Sequence, residues 1–217
     1  MTPVMALAMA WTSVSAQHSL VYPIPESELV VQDFTIPDHW PRAFGLEIRW
    51  NSVAAIWGAR DPQSDVLYLF REYSAEAEPA THAAALRAHA DWIPGLVDPS
   101  ANGRPQSDGY HLVRVYRTLG LRLESVDNVL ESGILSVWQR MRSGRLKVFA
   151  SLTKYIEEQR FYRRNEKAQI VKEHDALQDA ARCLVSGISR LRSKPKPTPP
   201  CPQPSPSYGG PHSWMAY

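Results

Sequence analysis

Four acids in this sequence stand where local structure alone does not ask for them. Glu47 interrupts the strand-like run FGLEIRW, Asp98 closes the apolar stretch GLVDP, and Asp175 and Asp179 occur together in KEHDALQDAARCLV. A strand interior disfavours Glu, and an i,i+4 spacing places Asp175 and Asp179 on one helix face. Carboxylates gathered from two strands and a helix repel one another unless divalent cations neutralise them, and hard oxygen ligands suit magnesium or manganese. Two such ions about 4 Å apart are the apparatus of in-line phosphodiester hydrolysis, one activating water and the other stabilising the leaving oxygen. Simpler roles compete at each position. Asp98 before Pro99 is a turn opener, Asp175 can cap the helix that follows it, and Glu47 can pair with an Arg.

Bringing such acids together takes a sheet with a helix laid on it. Period-2 alternation puts Leu46, Ile48 and Trp50 on one face of the first strand and Gly45, Glu47 and Arg49 on the other. The pattern predicts strands over 44–50, 53–59 and 66–73, the last two joined by turn residues, which is an antiparallel meander. A helix then starts at Glu78 and Pro79 and leads into a short strand over 93–98. Helices over 110–119, over 126–141 and from 152 alternate with strands over 121–123 and 146–149. A short strand is expected over 169–172 and a last helix over 175–191. That helix carries an apolar stripe of Ala176, Leu177, Ala180, Ala181, Leu184 and Val185, bordered by Asp175 and Asp179, which should face the sheet. Hairpins first and helical crossovers later give a mixed α/β sheet.

The rest of the composition narrows the function classes. A net charge of +2 gives no whole-chain signature of a nucleic-acid binder, although Arg and Lys concentrate over 140–164 and 190–196. Cys183 in the last helix and Cys201 in the proline-rich end speak against a disulfide framework or a Cys-based zinc site. The apolar start ends in Val14-Ser15-Ala16, which has the look of a cleavage site, but it lacks a basic leader. No apolar run is long enough to span a membrane, so a cytoplasmic location in a bacterial host is the expectation.

Five blocks in order, FTIPDHWPRAFGLEIRW, AAIWGARDPQSDVLYLFREY, GLVDPSANGRPQSDGYHLVRVYRTLGL, VDNVLESGILSVWQRMRSGRLKVF and IVKEHDALQDAARCLV, resemble the C-terminal nuclease domain of the large terminase subunit of tailed double-stranded DNA bacteriophages. The resemblance implies a ribonuclease H-like fold, with the meander and crossovers in one mixed sheet flanked by helices. It also implies a metal-dependent endonuclease that cuts concatemeric DNA during genome packaging. The family's first acid falls on Glu47, its second on Asp98, and its pattern Asp-His-Leu-Met-Asp-Ala on Asp175 and Asp179. Two Mg2+ or Mn2+ ions are the implied cofactors. Lys172, placed like a family lysine, is implied to steady a phosphate or the attacking water. Arg104, Arg140, Arg142, Arg145, Lys147, Lys154, Arg163 and Arg164 are candidates for contacts to the DNA backbone. Double-stranded DNA is the implied partner, with the terminase small subunit, the portal or a separate ATPase chain beside it, and neither membrane nor nucleotide.

The segmentation that follows is an unmatched stretch over 1–21, an extended lead-in over 22–43 with a short strand near 29–31, the nuclease domain over 44–192 and a proline-rich, disordered end over 193–217. Three departures from the family mark this sequence. Glu47 stands where the family has Asp, and its carboxylate reaches about 1.5 Å further. Ala176 and Cys183 replace the usual His and Tyr. No phosphate-binding G-x-x-x-x-G-K-[ST] occurs, so a packaging motor is not expected of this sequence, and a separately encoded nuclease domain or a truncated prophage remnant is. An inactive remnant serving as a DNA-binding or assembly module is the alternative function. A small α/β scaffold whose acids are only turns and caps is the third.

Overall fold

The proline-punctuated lead-in folds back onto the sheet. A single helical turn, α1 (Glu26–Leu29), carries Leu29 into the core and is followed by β1 (Val30–Val31), while Tyr22 is also buried. The computed structural model describes residues 20–99, 106–127 and 129–195. Arg104, the N-terminal run and the proline-rich end from 196 lie outside the described residues.

Next come β2 (Arg42–Ile48), β3 (Ser52–Arg60) and β4 (Leu67–Glu76), the expected antiparallel meander. Its second turn is closed by Asp61, whose carboxylate accepts hydrogen bonds from the Gln63 amide at 3.0 Å and the Ser64 hydroxyl at 2.5 Å. The chain then alternates helix and strand: α2 (Pro79–Arg87), β5 (Gly95–Val97), α3 (Gln106–Thr118), β6 (Leu123–Ser125), α4 (Leu130–Arg142), β7 (Leu146–Phe149), α5 (Thr153–Phe161) and α6 (Ala176–Ser186).

The strands among the described residues form one sheet in the order β1-β7-β4-β3-β2-β5-β6. Only β3 pairs antiparallel with its neighbours, so the other strands all point their carboxyl ends at one edge. Alternating residues of the sheet feed two cores. Ala43, Leu96 and Val148 pack beneath α4, α5 and α6, and Phe44, Leu46, Trp57 and Val97 pack against α2 and α3. Helices thus cover both faces, as parallel pairing requires.

The contact between α6 and β2 is unusually close. A Cβ on Gly45 would stand 1.8 Å from the Ala180 carbonyl oxygen, so only a glycine lets the helix backbone settle there. This seating lays the first turns of α6 over the odd-numbered face of β2, the face of Glu47.

Four expectations are corrected. Trp50 does not extend the first strand: it sits 91% exposed at the β2–β3 turn, which Arg49 closes by donating its N–H to Ser52 O at 2.8 Å. The strand expected over 121–123 begins at Leu123, because Gly120 at φ 89° and Leu121, whose N–H returns to Tyr116 O, still terminate α3 in a Schellman arrangement. Residues 169–172 form no strand. Asn165 Oδ1 accepts from the Lys167 and Gln169 amides, and that turn leaves one bridge between Arg164 and Ile170. The last helix stops at Ser186 and continues after Gly187 only as a 3-10 turn, Ile188–Arg190.

Candidate active site

The four acids meet at the carboxyl edge of the sheet. Glu47 is the penultimate residue of β2 and is buried. Parallel pairing sets Leu46 opposite Val97, so the next step brings Glu47 level with Asp98, the half-buried residue after β5. Both lie near Cys183 of α6. Burial pushes the Cys183 thiol up, the charges of Glu47 and Asp98 push it further, and a hydrogen bond from the Asp98 backbone works against them.

Asp175 and Asp179 enter from α6, both at most 1% exposed. Asp175 holds the N-cap position but makes no capping hydrogen bond. That work falls to Glu158 of α5, whose carboxylate accepts from the Leu177 amide at 2.8 Å and the Gln178 amide at 3.2 Å. Burial raises the Glu158 pKa to about 7, against the pull of those two amides. With the helix end satisfied from another element, the Asp175 side chain is released toward the acids.

Arg49 sits among them. Its Nη2 donates to Asp175 Oδ1 at 2.6 Å and lies 3.7 Å from Asp179 Oδ2, while its Nε is 3.9 Å from Glu47 Oε1. Burial works against the guanidinium charge, but the hydrogen bond to Asp175 and the charges of Asp175, Glu47 and Asp179 outweigh it and hold the pKa above the usual value. Lys172 Nζ stands 3.5 Å from both Asp175 Oδ2 and Asp179 Oδ2. Arg182, itself buried, donates to Asp179 Oδ1 at 2.5 Å and to the Tyr162 hydroxyl at 2.8 Å.

The predicted residues Glu47, Asp98, Asp175, Asp179 and Lys172 are therefore gathered at one edge. Among the described residues, however, no three His, Cys, Asp or Glu side chains are disposed to hold a metal ion. The Arg49 guanidinium stands between three of these carboxylates. The donor set still fits a hard divalent cation in kind, being all carboxylate oxygen. One of those oxygens, Asp175 Oδ2, is buried and accepts no hydrogen bond.

Sequence reasoning missed the roles of Arg49, Arg182 and Glu158. Alternation had placed Arg49 on the face of Glu47, and an Arg partner was the competing reading for that acid. Arg182 lies three residues beyond Asp179, a helical neighbour. Glu158 carries no local mark of its task.

The basic candidates divide by edge. Arg140 and Arg145 surround Asp65 at the amino end of β4, at 3.0 and 3.5 Å, opposite the acids. Lys147 donates to Glu28 O, Arg164 pairs with Glu131 at 2.7 Å, and Arg142 stacks on Trp138. Arg163 is exposed. Lys154, donating to Ser74 O at 3.1 Å, is on the edge of the acids.

No protein-family model matches the chain. It is 30% identical over 173 residues to the terminase large subunit of Salmonella phage P22, an alignment covering 75% of this chain and 34% of that protein. The chain thus spans about a third of the length of the curated relatives it matches. It superposes on the structure of the P22 large terminase nuclease domain with a TM-score of 0.74 and 28% identity, over 80% of this chain and 94% of that one. The large terminase nuclease of thermophilic phage G20c, solved with bound magnesium, shares the fold at 13% identity and a TM-score of 0.56, over 77% and 97% of the two chains. In sequence and in its ribonuclease H-like fold, the chain is a homologue of the large terminase nuclease domain.

Proposed function

We propose that this chain is a metal-dependent DNA endonuclease that cuts concatemeric double-stranded DNA during phage genome packaging. One observation carries the reading: Glu47, Asp98, Asp175 and Asp179 converge at the carboxyl edge of a sheet that superposes on the P22 nuclease domain. In an open α/β sheet that edge is where ligands bind. These four acids would hold two Mg2+ or Mn2+ ions, which when bound supply water activation and stabilisation of the leaving oxygen. Lys172, half exposed beside Asp175 and Asp179, is placed to hold a phosphate oxygen and orient the scissile bond. The buried Arg182 fixes Asp179 in place. DNA enters from the open side of the edge, where Trp50 is exposed. The terminase small subunit, the portal and an ATPase chain are the candidate partners.

The deciding experiment is supercoiled-plasmid nicking in Mn2+, Mg2+ and EDTA, with Asp98→Ala alongside. Nicking that needs metal and is lost in Asp98→Ala is the expected outcome. A folded chain that nicks in no metal gives way to the second reading, a DNA-binding or assembly module without activity. That reading is favoured by one specific feature, the Arg49 guanidinium among the acids.

A further inference from the structure

Three buried carboxylates, Glu47, Asp175 and Asp179, face three cations, Arg49, Lys172 and Arg182. Among these six groups the charges offset one another before any metal ion arrives, and Asp98 and Glu158 add further acid beside them. Arg182 is committed to Asp179 and Tyr162, and Lys172 stands at the rim, half exposed. Arg49 alone reaches all three acids.

We propose that Arg49 is the resident cation of this site: its guanidinium takes the place a divalent ion needs between Glu47, Asp175 and Asp179, and the ion enters only when Arg49 swings out. The inference rests on the reading of these acids as metal ligands. The guanidinium is lightly anchored. Of its five donors, one makes a hydrogen bond to a carboxylate, to Asp175 Oδ1, whereas the approaches to Asp179 and Glu47 at 3.7 and 3.9 Å are ion pairs and the buried Nε makes no hydrogen bond. It also has an exit, because the side chain is 28% exposed and its backbone is fixed at the β2–β3 turn by the bond to Ser52 O. The side chain can leave without moving the strand. Finally, Asp175 Oδ2 is buried and accepts no hydrogen bond, with the half-exposed Lys172 ammonium 3.5 Å from it, so Arg49 leaves open a carboxylate oxygen that a metal ion would take.

Metal affinity in this chain therefore includes the separation of Arg49 from three carboxylates, and removing its charge relieves that opposition. The test is Mn2+ binding by isothermal titration calorimetry, with thermal unfolding in EDTA and in Mn2+, on the full chain and on Arg49→Ala and Arg49→Gln. Gln keeps much of the side-chain length and a hydrogen-bond donor, which covers a failure of the Ala variant to fold. Both variants are expected to bind Mn2+ about tenfold or more tightly than the parent, while melting at lower temperature in EDTA. Adding Asp175→Ala to Arg49→Gln removes the gain. A lower melting temperature without tighter Mn2+ binding makes Arg49 merely structural and overturns the proposal. Equal, tight binding by parent and variants also overturns it, but leaves the metal reading standing. If none of the folded chains binds Mn2+, both fall together.

Discussion

At the scale of single residues, the decisive relation is between Asp175 and Glu158. An Asp ahead of a helix normally spends its carboxylate on the first free amides. Here Glu158, from another helix, accepts from the Leu177 and Gln178 amides through the same oxygen, Oε2. Asp175 is thereby free to reach Arg49. Removing the acceptor with Glu158→Ala should lower stability by about 1–2 kcal/mol, the usual cost of a lost cap, read as a shift in the urea midpoint. Glu158→Gln retains one carbonyl oxygen for both amides and removes a buried charge that burial already disfavours. Its midpoint should stay at or above the parent's at neutral pH. A Gln variant as unstable as the Ala variant would mean that the charge, and not the acceptor, does the capping.

At the scale of elements, the site exists because α6 lies directly on β2. The Ala180 carbonyl rests where a side chain on Gly45 would begin, so the helix approaches as far as two backbones allow. That seating sets the height of Asp175 and Asp179 above Glu47. Gly45→Ala leaves no adjustment except lifting the helix, since the obstructing atom belongs to backbone. We expect a loss of about 3 kcal/mol or more, at the upper end of overpacking costs, measured by urea unfolding. If the variant folds, nicking should fall much more than stability, because lifting α6 separates its two acids from Glu47 and Asp98. A Gly45→Ala chain with parental stability would refute the close approach. The β2–β3 turn matters in the same way: ending the strand at Ile48 lets Arg49 turn back toward the acids while Trp50 points to solvent.

At the scale of the whole molecule, the single antiparallel strand β3 explains why six strand ends share an edge and why that edge collects the acids. It also sorts the basic residues. Lys154 shares the edge of the acids, whereas Arg145 sits beside Asp65 at the far one. Lys154→Ala should weaken duplex binding and reduce the slope of log affinity against log salt by about one if it contacts a phosphate, whereas Arg145→Ala should leave both unchanged. Fluorescence anisotropy across a salt series distinguishes them, and equal effects from the two would place the DNA elsewhere. Among the described residues, no helix is long and apolar enough to cross a membrane. The sequence by itself determined the meander and, apart from the strand expected over 169–172, the alternation of helices and strands after it, and it singled out the four acids that the fold brings to one edge. Alternation, turn chemistry and helical spacing are local and can be read from neighbours a few residues apart. Only the tertiary structure decided which cation stands among the acids, which residue caps α6 and which basic residues share the site's edge. The Arg49–Asp175 bond joins positions 126 apart in the chain, and no local pattern encodes a contact whose partners meet only when α6 closes onto β2.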